Sequence, residues 1–301
     1  MNFKQLLALS LSSIFCLLLI SNKPDANASR EAMAYNYDPN VNPWEQPNPI
    51  FRWPIPELEG DAIINLQFVD LLEKNATKIE LNHLYLKSYL EDVFNPHGIG
   101  FNFREESDME ISSDLNLLDS WKSKLPTNRS QLTVYIINDA KEADIRSYFG
   151  NTELVSNAIV LPYSQIDELK VYTAKSLGHM LGLLPTYFEN GTLGVAAENA
   201  NNCGHAGDFV CDTPFDYLGL KNDVKKRSCK YNGEFGNPDT KNIMSNSWTS
   251  CMDQITKGQA NKIKYNLSEI PLLQAVLNKA SSIALNIGLA DQPTINQFAL
   301  K

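Results

Sequence analysis

Ser176 and His179 have side chains that could act together in catalysis, and their spacing in the sequence would allow it. They lie three positions apart in a segment, Asp167 to Leu184, whose apolar spacing predicts a helix, so both side chains share one face. A hydroxyl beside an imidazole can act as nucleophile and base. A serine hydrolase also needs a group that orients the imidazole and an oxyanion hole, and the amides inside a helix are already hydrogen-bonded. We therefore do not predict a serine hydrolase.

Metal binding is the second chemistry that this helix could support, because residues four apart, such as 175 and 179, can converge on one ion. The stretch from Thr173 to Pro185 resembles the active-site helix of the metzincin zinc peptidases, H-E-x-x-H-x-x-G-x-x-H, in its pappalysin-like form H-E-x-G-H-x-L-G-L-x-H. The positions that match this form are Gly178, His179, Leu181, Gly182 and Leu183.

The chain departs from the motif at its other functional positions. Lys175 stands where the resemblance places the first histidine, Ser176 where it places the glutamate, and Pro185 where it places the third histidine. A catalytic zinc needs three protein ligands and an open position for water, and only His179 remains. A protonated Lys175 would repel the cation, and an unactivated hydroxyl cannot replace the glutamate as general base. The sequence predicts no catalytic zinc and no other cofactor; zinc is expected only if the chain is active with an atypical site.

Further motifs follow in the order that the resemblance requires. Gly207-Asp-Phe-Val-Cys-Asp-Thr-Pro is similar to the pappalysin-like segment G-D-x-V-x-D-T-P, and Asn242-Ile-Met-Ser is similar to the Met-turn, with Met244 as its methionine. Phe94-Asn-Pro-His and Thr256-Lys-Gly-Gln resemble two other family segments, so the resemblance covers residues 62–267. It implies a possible structural calcium site at Asp208, Asp212 and Thr213. A pair of Asx turns is the alternative.

Four cysteines remain after the leader described below, namely Cys203, Cys211, Cys229 and Cys251. An even number in an exported chain predicts two disulfides, for which three pairings are possible. A cysteine-bound zinc is the alternative, although the chain lacks paired C-x-x-C units. The other histidines, His83, His97 and His205, are expected to be structural or exposed on the surface rather than ligands.

The amino-terminal sixty residues differ in composition from the rest. Lys4 precedes an apolar run from Leu6 to Ile20, which predicts a signal peptide over 1–28 that is cleaved after Ala28. Attachment of a lipid at Cys16 is the alternative, but Phe15 is bulky for such a site. Residues 29–60 are rich in proline and aromatic residues and predict an extended arm. We expect a secreted or periplasmic protein without a transmembrane segment in the mature chain.

The formal net charge of -9 argues against nucleic-acid binding, which needs clustered cations. The basic run of Lys225, Lys226 and Arg227 is interpreted as a solvated loop. A content of 43% hydrophobic residues is enough for a large core.

Hydrophobic spacing predicts strands at 62–70, 99–103, 132–137 and, as an edge strand, 157–161. It predicts helices at 79–94, 167–184, 259–265 and 269–287. The predicted fold class is α+β, an α/β sandwich of metzincin type with a twisted mixed β-sheet, helices backing it, and a loop-rich carboxyl-terminal subdomain held by disulfides. The metzincin-like domain is expected at 61–267 and a carboxyl-terminal helical extension at 268–301.

Three functional hypotheses follow. The first is a secreted, inactive relative of the metzincins whose cleft binds a peptide, protein or glycan, with Lys175 in the space of the metal and paired with a carboxylate. The second is an active zinc metallopeptidase with an unusual site. The third is a surface interaction module that works through the aromatic arm from Tyr35 to Trp53.

Overall fold

The fold is known from a computed structural model that describes residues 54–73, 81–111, 125–126, 128–137, 157–163, 166–187, 203, 206–214, 216–217, 219–234 and 236–285. All of them belong to one compact unit, residues 37–301. The predicted signal peptide and almost all of the arm lie outside the described residues, and the predicted domain boundaries stay predictions.

All described strands of the main sheet lie between residues 62 and 162. The described strands are β1 (Leu58–Glu59), β2 (Ala62–Glu73), β3 (Ile99–Phe103), β4 (Ser107–Ile111), β5 (Leu132–Ile137), β6 (Ala158–Pro162), β7 (Val224–Lys225), β8 (Lys230–Tyr231) and β9 (Ala284–Leu285). The described α-helices are α1 (His83–Phe94), α2 (Ile166–Met180), α3 (Lys257–Glu269) and α4 (Pro271–Gln274).

The main sheet is built around β2. Strand β2 pairs with β5 on one side and with β3 and then β4 on the other, and β6 pairs with β5 as the outer strand of the described sheet. The α+β class is confirmed, as are the four predicted strands. Pairing differs from the expected mixed sheet, because every pair in the described part of this sheet is parallel. Helix α1 lies in the crossover from β2 to β3, as a parallel pair requires.

Side chains of β2 alternate between two buried layers. Val69 and Leu71 pack with residues of β5 and β6 in one apolar cluster. Phe68 points to the opposite face, where its ring lies 5.6 Å from the ring of His83 at the start of α1. Helix α1 in turn packs on α2, and α2 packs on β6. The sheet therefore supports the helix that carries Lys175, Ser176 and His179.

Helix ends differ from the predictions where capping residues decide them. Helix α1 begins at His83 rather than at 79, because the side chain of Asn82 accepts a hydrogen bond from the Tyr85 amide. Helix α2 ends at Met180 rather than at Leu184. Gly182 has a φ of 86°, and the Leu183 amide donates to the carbonyl of Gly178, which closes the helix with a Schellman motif.

The predicted helix over 269–287 is wrong in its described part. Helix α4 covers only Pro271–Gln274. The chain then extends, so that the Asn278 amide donates to the Ile63 carbonyl and β9 pairs antiparallel with β1. Leu277 forms a bridge to Ile64 of β2. Apolar spacing misled the prediction. Pro271 cannot continue helix α3, which ends at Glu269, and the buried residues beyond the single turn of α4 belong to an extended segment.

Two disulfides stabilise the loops of the second half. The pairs are Cys203–Cys211 and Cys229–Cys251, with Cα atoms 5.0 and 5.4 Å apart. The two predicted disulfides are confirmed, and a cysteine-bound zinc is excluded because all four sulfur atoms are used. No helix in the described ranges is long and apolar enough to cross a bilayer.

Candidate functional site

Helix α2 places Lys175 and His179 one turn apart on the face that meets the turn Asn242–Ser245. This turn depends on Asn242, whose side-chain oxygen accepts a hydrogen bond from the Met244 amide at 2.9 Å and whose side-chain amide donates to Gln259. Gly178 allows close contact, because a Cβ atom added there would lie 2.6 Å from Met244 Sδ. The predicted Met-turn segment therefore lies directly against the predicted active-site helix.

Lys175 is buried, with 8% of its surface exposed. Its Nζ donates a hydrogen bond of 2.7 Å to the carbonyl oxygen of Ser245, and it lies 5.5 Å from the centre of the Tyr187 ring. Burial lowers the pKa of Lys175 to about 8, against a raising effect from the negative charge of Asp216. The ammonium thus points into the protein, and its direct hydrogen-bond partner is a carbonyl group rather than the carboxylate that we expected.

His179 is neutral in its surroundings. Its Nδ1 lies 3.0 Å from the carbonyl oxygen of Leu183, which can only accept, so Nδ1 carries the hydrogen. Burial and the nearby charge of Lys175 lower the pKa of His179 to about 4, and the bond to Leu183 opposes them only in part. The tautomer leaves Nε2 with a free lone pair, as a metal ligand requires.

Ser176 and Pro185 cannot supply the missing functions. Ser176 is fully buried, and its hydroxyl has no hydrogen-bond partner among the described residues. Pro185 is buried and has no donor atom in its side chain. The residue after it, Thr186, donates its hydroxyl to Asp216 at 2.8 Å, and its amide donates to the Met244 carbonyl.

Asp216 lies in the same cluster as Lys175, Ser176, His179 and Thr186, although no sequence motif indicates it. It is 1% exposed and accepts hydrogen bonds from the Thr186 hydroxyl and from the amides of Asn246 and Tyr217. Burial raises its pKa, although these donors and the charge of Lys175 act in the opposite direction. Asp216 follows the D-T-P segment by only two residues, but nothing in its spacing relates it to Lys175.

The side chains of this cluster do not fit a catalytic zinc. Lys175 brings a positive charge, Ser176 and Pro185 bring no ligand, and His179 alone offers nitrogen. Asp216 already receives three hydrogen bonds, one of them from Thr186. Across the described ranges, no three His, Cys, Asp or Glu side chains are grouped closely enough to hold a metal ion. A zinc site needs three such ligands.

The residues proposed for calcium have separate partners. Asp212 accepts from the Thr256 hydroxyl and the Gly258 amide, both at 2.7 Å, and so caps helix α3. Asp208 is buried and accepts from the Val210 amide and the Thr213 hydroxyl, both at 3.0 Å. Burial raises the pKa of Asp208 to about 7, partly offset by these donors and by Lys262. Calcium binding there stays a prediction, while the observed contacts are those of an Asx turn and a helix cap.

The remaining histidines lie elsewhere. His83 contacts Asp70 and Glu106, and the ring of half-buried His97 donates a hydrogen bond to the backbone carbonyl of Ile255. His205 lies outside the described residues.

A cavity of about 380 Å³ lies beside the Cys211 disulfide and the first turn of α3. The polar side chains that line it have partners within the protein. Asp212 caps α3, Lys257 pairs with Glu57 at 2.5 Å, and the side-chain oxygen of Asn261 accepts a hydrogen bond from the Leu58 amide. It shares no lining residue with the cluster around Lys175.

Comparison with known proteins supports the family resemblance. The chain is 26% identical over 191 residues to extracellular metalloprotease 1 of Coccidioides posadasii (strain C735), a match that spans 58% of this chain and 64% of that protein, less than two thirds of its length. No family model matches the chain.

Among solved structures, the chain is similar to mature mirolysin of Tannerella forsythia in complex with a cleaved peptide, with 12% identity and a TM-score of 0.48 over 72% of this chain and 96% of that one. It is also similar to mirolysin in complex with compound 9, with 13% identity and a TM-score of 0.47 over the same shares. The sequence match confirms the resemblance to the metalloproteases.

Proposed function

We propose that this chain is an exported, non-catalytic relative of the zinc metallopeptidases that binds a peptide, protein or glycan without cleaving it. The observation that carries the proposal is the buried ammonium of Lys175, at the helix position of a zinc ligand and hydrogen-bonded to the Ser245 carbonyl. A fixed positive charge beside His179 disfavours a second cation in the same space.

The surrounding structure supports retention of the scaffold without metal. Helix α2 is closed by its own Schellman motif, and the turn at Met244 is shaped by Asn242 and Gln259. Two disulfides join the loops of the second half, as is common in proteins from oxidising compartments. Neither the helix nor the turn uses a metal for its hydrogen bonds, so loss of zinc need not unfold the domain.

The same substitutions also remove the catalytic base. Ser176 is fully buried and cannot accept a proton from water near neutral pH. Hydrolysis of a peptide by the metallopeptidase route needs both an activated water and a base. Without zinc and base, the cleft can bind a ligand but cannot cleave it. The predicted signal peptide directs export of the chain.

An active metallopeptidase is the second candidate, favoured by the similarity to a fungal extracellular metalloprotease. The two candidates differ in metal content. The purified protein, incubated with zinc and desalted, is expected to hold far less than one zinc per molecule and to leave quenched fluorescent peptides uncut. One tightly held zinc per molecule that His179→Ala removes would contradict the proposal.

A restoration experiment tests the assignment of the positions. The triple variant Lys175→His, Ser176→Glu, Pro185→His is expected to bind zinc, because it completes the three-ligand set with His179. Adding His179→Ala to the triple variant is the matched control and should remove binding again. Circular dichroism shows whether each variant is folded, so a folded triple variant without zinc affinity would show that these positions do not converge.

A further inference from the structure

His83, the first residue of α1, has a carboxylate oxygen at each ring nitrogen. Its Nε2 lies 3.0 Å from Asp70 Oδ1, and its Nδ1 lies 2.9 Å from Glu106 Oε2. His83 and Asp70 are buried, with 8% and 6% of their surfaces exposed, and Glu106 is partly exposed. The Nε2 contact with Asp70 is a hydrogen bond, and the Nδ1 contact with Glu106 is an ion-pair contact within hydrogen-bond distance.

The geometry fixes the protonation state of the ring. A neutral imidazole carries one N–H, and an ionised carboxylate can only accept. Two ionised carboxylates can therefore both be satisfied only by the imidazolium form of His83, which donates from both nitrogens. A neutral ring would leave one of the two contacts between two acceptors, which repel each other.

The surrounding charges agree with an imidazolium. Burial by itself disfavours the charged ring, but the hydrogen bond to Asp70 and the negative charges of Asp70 and Glu106 outweigh burial and the opposing charge of Lys87, and they raise the pKa of His83 above 6.5. Glu106 also pairs with Lys87 at 2.5 Å, and its pKa is lowered by Lys87 and His83 against the effect of burial. The sheet register places Asp108 of β4 beside Asp70, which adds a further negative charge near the cluster.

The three groups belong to three different parts of the fold. Asp70 lies in β2, the central strand; His83 opens α1; and Glu106 immediately precedes β4, which pairs with the end of β2. The ring packs against Phe68 of the same strand. The His83 side chain thus links α1 to β2, through Asp70, and to the segment before β4, through Glu106.

We propose that His83 forms a pH-dependent contact with the segment before β4. While both ring nitrogens of His83 are protonated, the ring binds Glu106 and holds this segment in place; when the Nδ1 proton leaves, Glu106 is released. Nδ1 rather than Nε2 loses the proton, because Asp70 is buried and needs its donor, whereas Glu106 is partly exposed and keeps Lys87.

The direction with pH follows from linkage. The folded state holds the proton more tightly than the unfolded state, so the contribution of His83 to stability is complete below pH 6.5. It is lost as the pH rises through the folded-state pKa. The part of the chain that should loosen at high pH is β4, which is an outer strand at the end of β2.

Two measurements on the full chain test the proposal. In nitrogen-15 spectra of the histidine rings, His83 should show two protonated nitrogens at pH 6, while His179 should be neutral with a single N–H. Hydrogen exchange, corrected for the intrinsic effect of pH, should show amide protection in β4 falling about tenfold from pH 6 to pH 9. A neutral His83 ring at pH 6 overturns the proposal, and so does β4 protection that does not change with pH.

Two variants distinguish the effect of the His83–Glu106 contact from general effects of pH on stability. His83→Gln should show no pH-dependent change of protection in β4 between pH 6 and 9. Glu106→Gln keeps the buried Asp70 contact and serves as a second test if His83→Gln does not fold; it too should remove the pH dependence. If both variants keep the wild-type pH dependence of β4, another group is responsible and the proposal fails.

Discussion

His83 and His179 lie in two helices that pack on each other, α1 and α2, yet their surroundings favour opposite charge states. His83 has carboxylate oxygens at both ring nitrogens, and its pKa is raised. His179 has a carbonyl at one nitrogen and the ammonium of Lys175 nearby, and burial with that charge lowers its pKa to about 4. The partner of a buried ring, rather than burial alone, decides whether the ring is charged.

The same contrast holds for the charged forms of His83 and Lys175. The imidazolium of His83 contacts carboxylates directly, so its charge is compensated where it lies. The ammonium of Lys175 contacts a carbonyl, while the carboxylate that acts on it, Asp216, is occupied by three neutral donors. A cation with a direct ion pair adds stability as the pH falls, and a cation without one costs stability in its charged form.

The largest effect is expected from removing the charge that compensates His83. Asp70→Asn leaves the buried ring without its anionic partner and should lower the free energy of unfolding at pH 6 by about 3 kcal/mol, as measured in urea. Asp253→Asn is the control, because its pair with Lys241 is half exposed and its loss should cost under about 0.5 kcal/mol. Equal costs for the two variants would mean that His83 and Asp70 are not a coupled pair.

A second test concerns the uncompensated charge of Lys175. Because its folded-state pKa is about 8 against 10.5, the folded state binds fewer protons between these values, and stability should rise with pH across that interval by up to about 3 kcal/mol. Lys262, whose pKa burial lowers to about 7, adds a rise of its own, so the profile of Lys175→Met should be flatter than that of the wild type by the Lys175 contribution. Lys225→Met, at an exposed position, should keep it. Parallel stability profiles of wild type and Lys175→Met from pH 8 to 10.5 would show that Lys175 is not buried in its charged form.

The smallest effect tests the packing that holds Lys175 at the turn. Gly178→Ala places a methyl group against Met244 Sδ and should cost about 1–2 kcal/mol, even though alanine favours helices. Gly100→Ala, where the nearest atom is 3.8 Å away, should be close to neutral. In a Met244→Ala background the cost of Gly178→Ala should disappear, since the clash is removed; a cost that persists there would place its origin elsewhere.

Much of the fold could be predicted from the sequence. The β-branched run at 132–137 and the alternation at 62–70 identify strands because local composition and period are enough for such short, buried segments. The even number of cysteines predicts two disulfides, but their pairing depends on which sulfur atoms the loops bring together. The error at 269–287 has the same origin, since apolar spacing does not show whether buried residues belong to a helix or to an extended segment that pairs with β1.

For the candidate site, the sequence by itself determined which groups are available: one histidine, a lysine, a serine and a proline at the positions of a zinc motif. Only the tertiary structure decided what those groups do, because burial and partners set their charge. It turns Lys175 toward the Ser245 carbonyl and brings Asp216, 41 residues further along the chain, near Lys175. It also gives His83 two carboxylates that no local pattern connects. Side-chain identity is local, whereas the electrostatic environment is a sum over residues that are distant in the sequence.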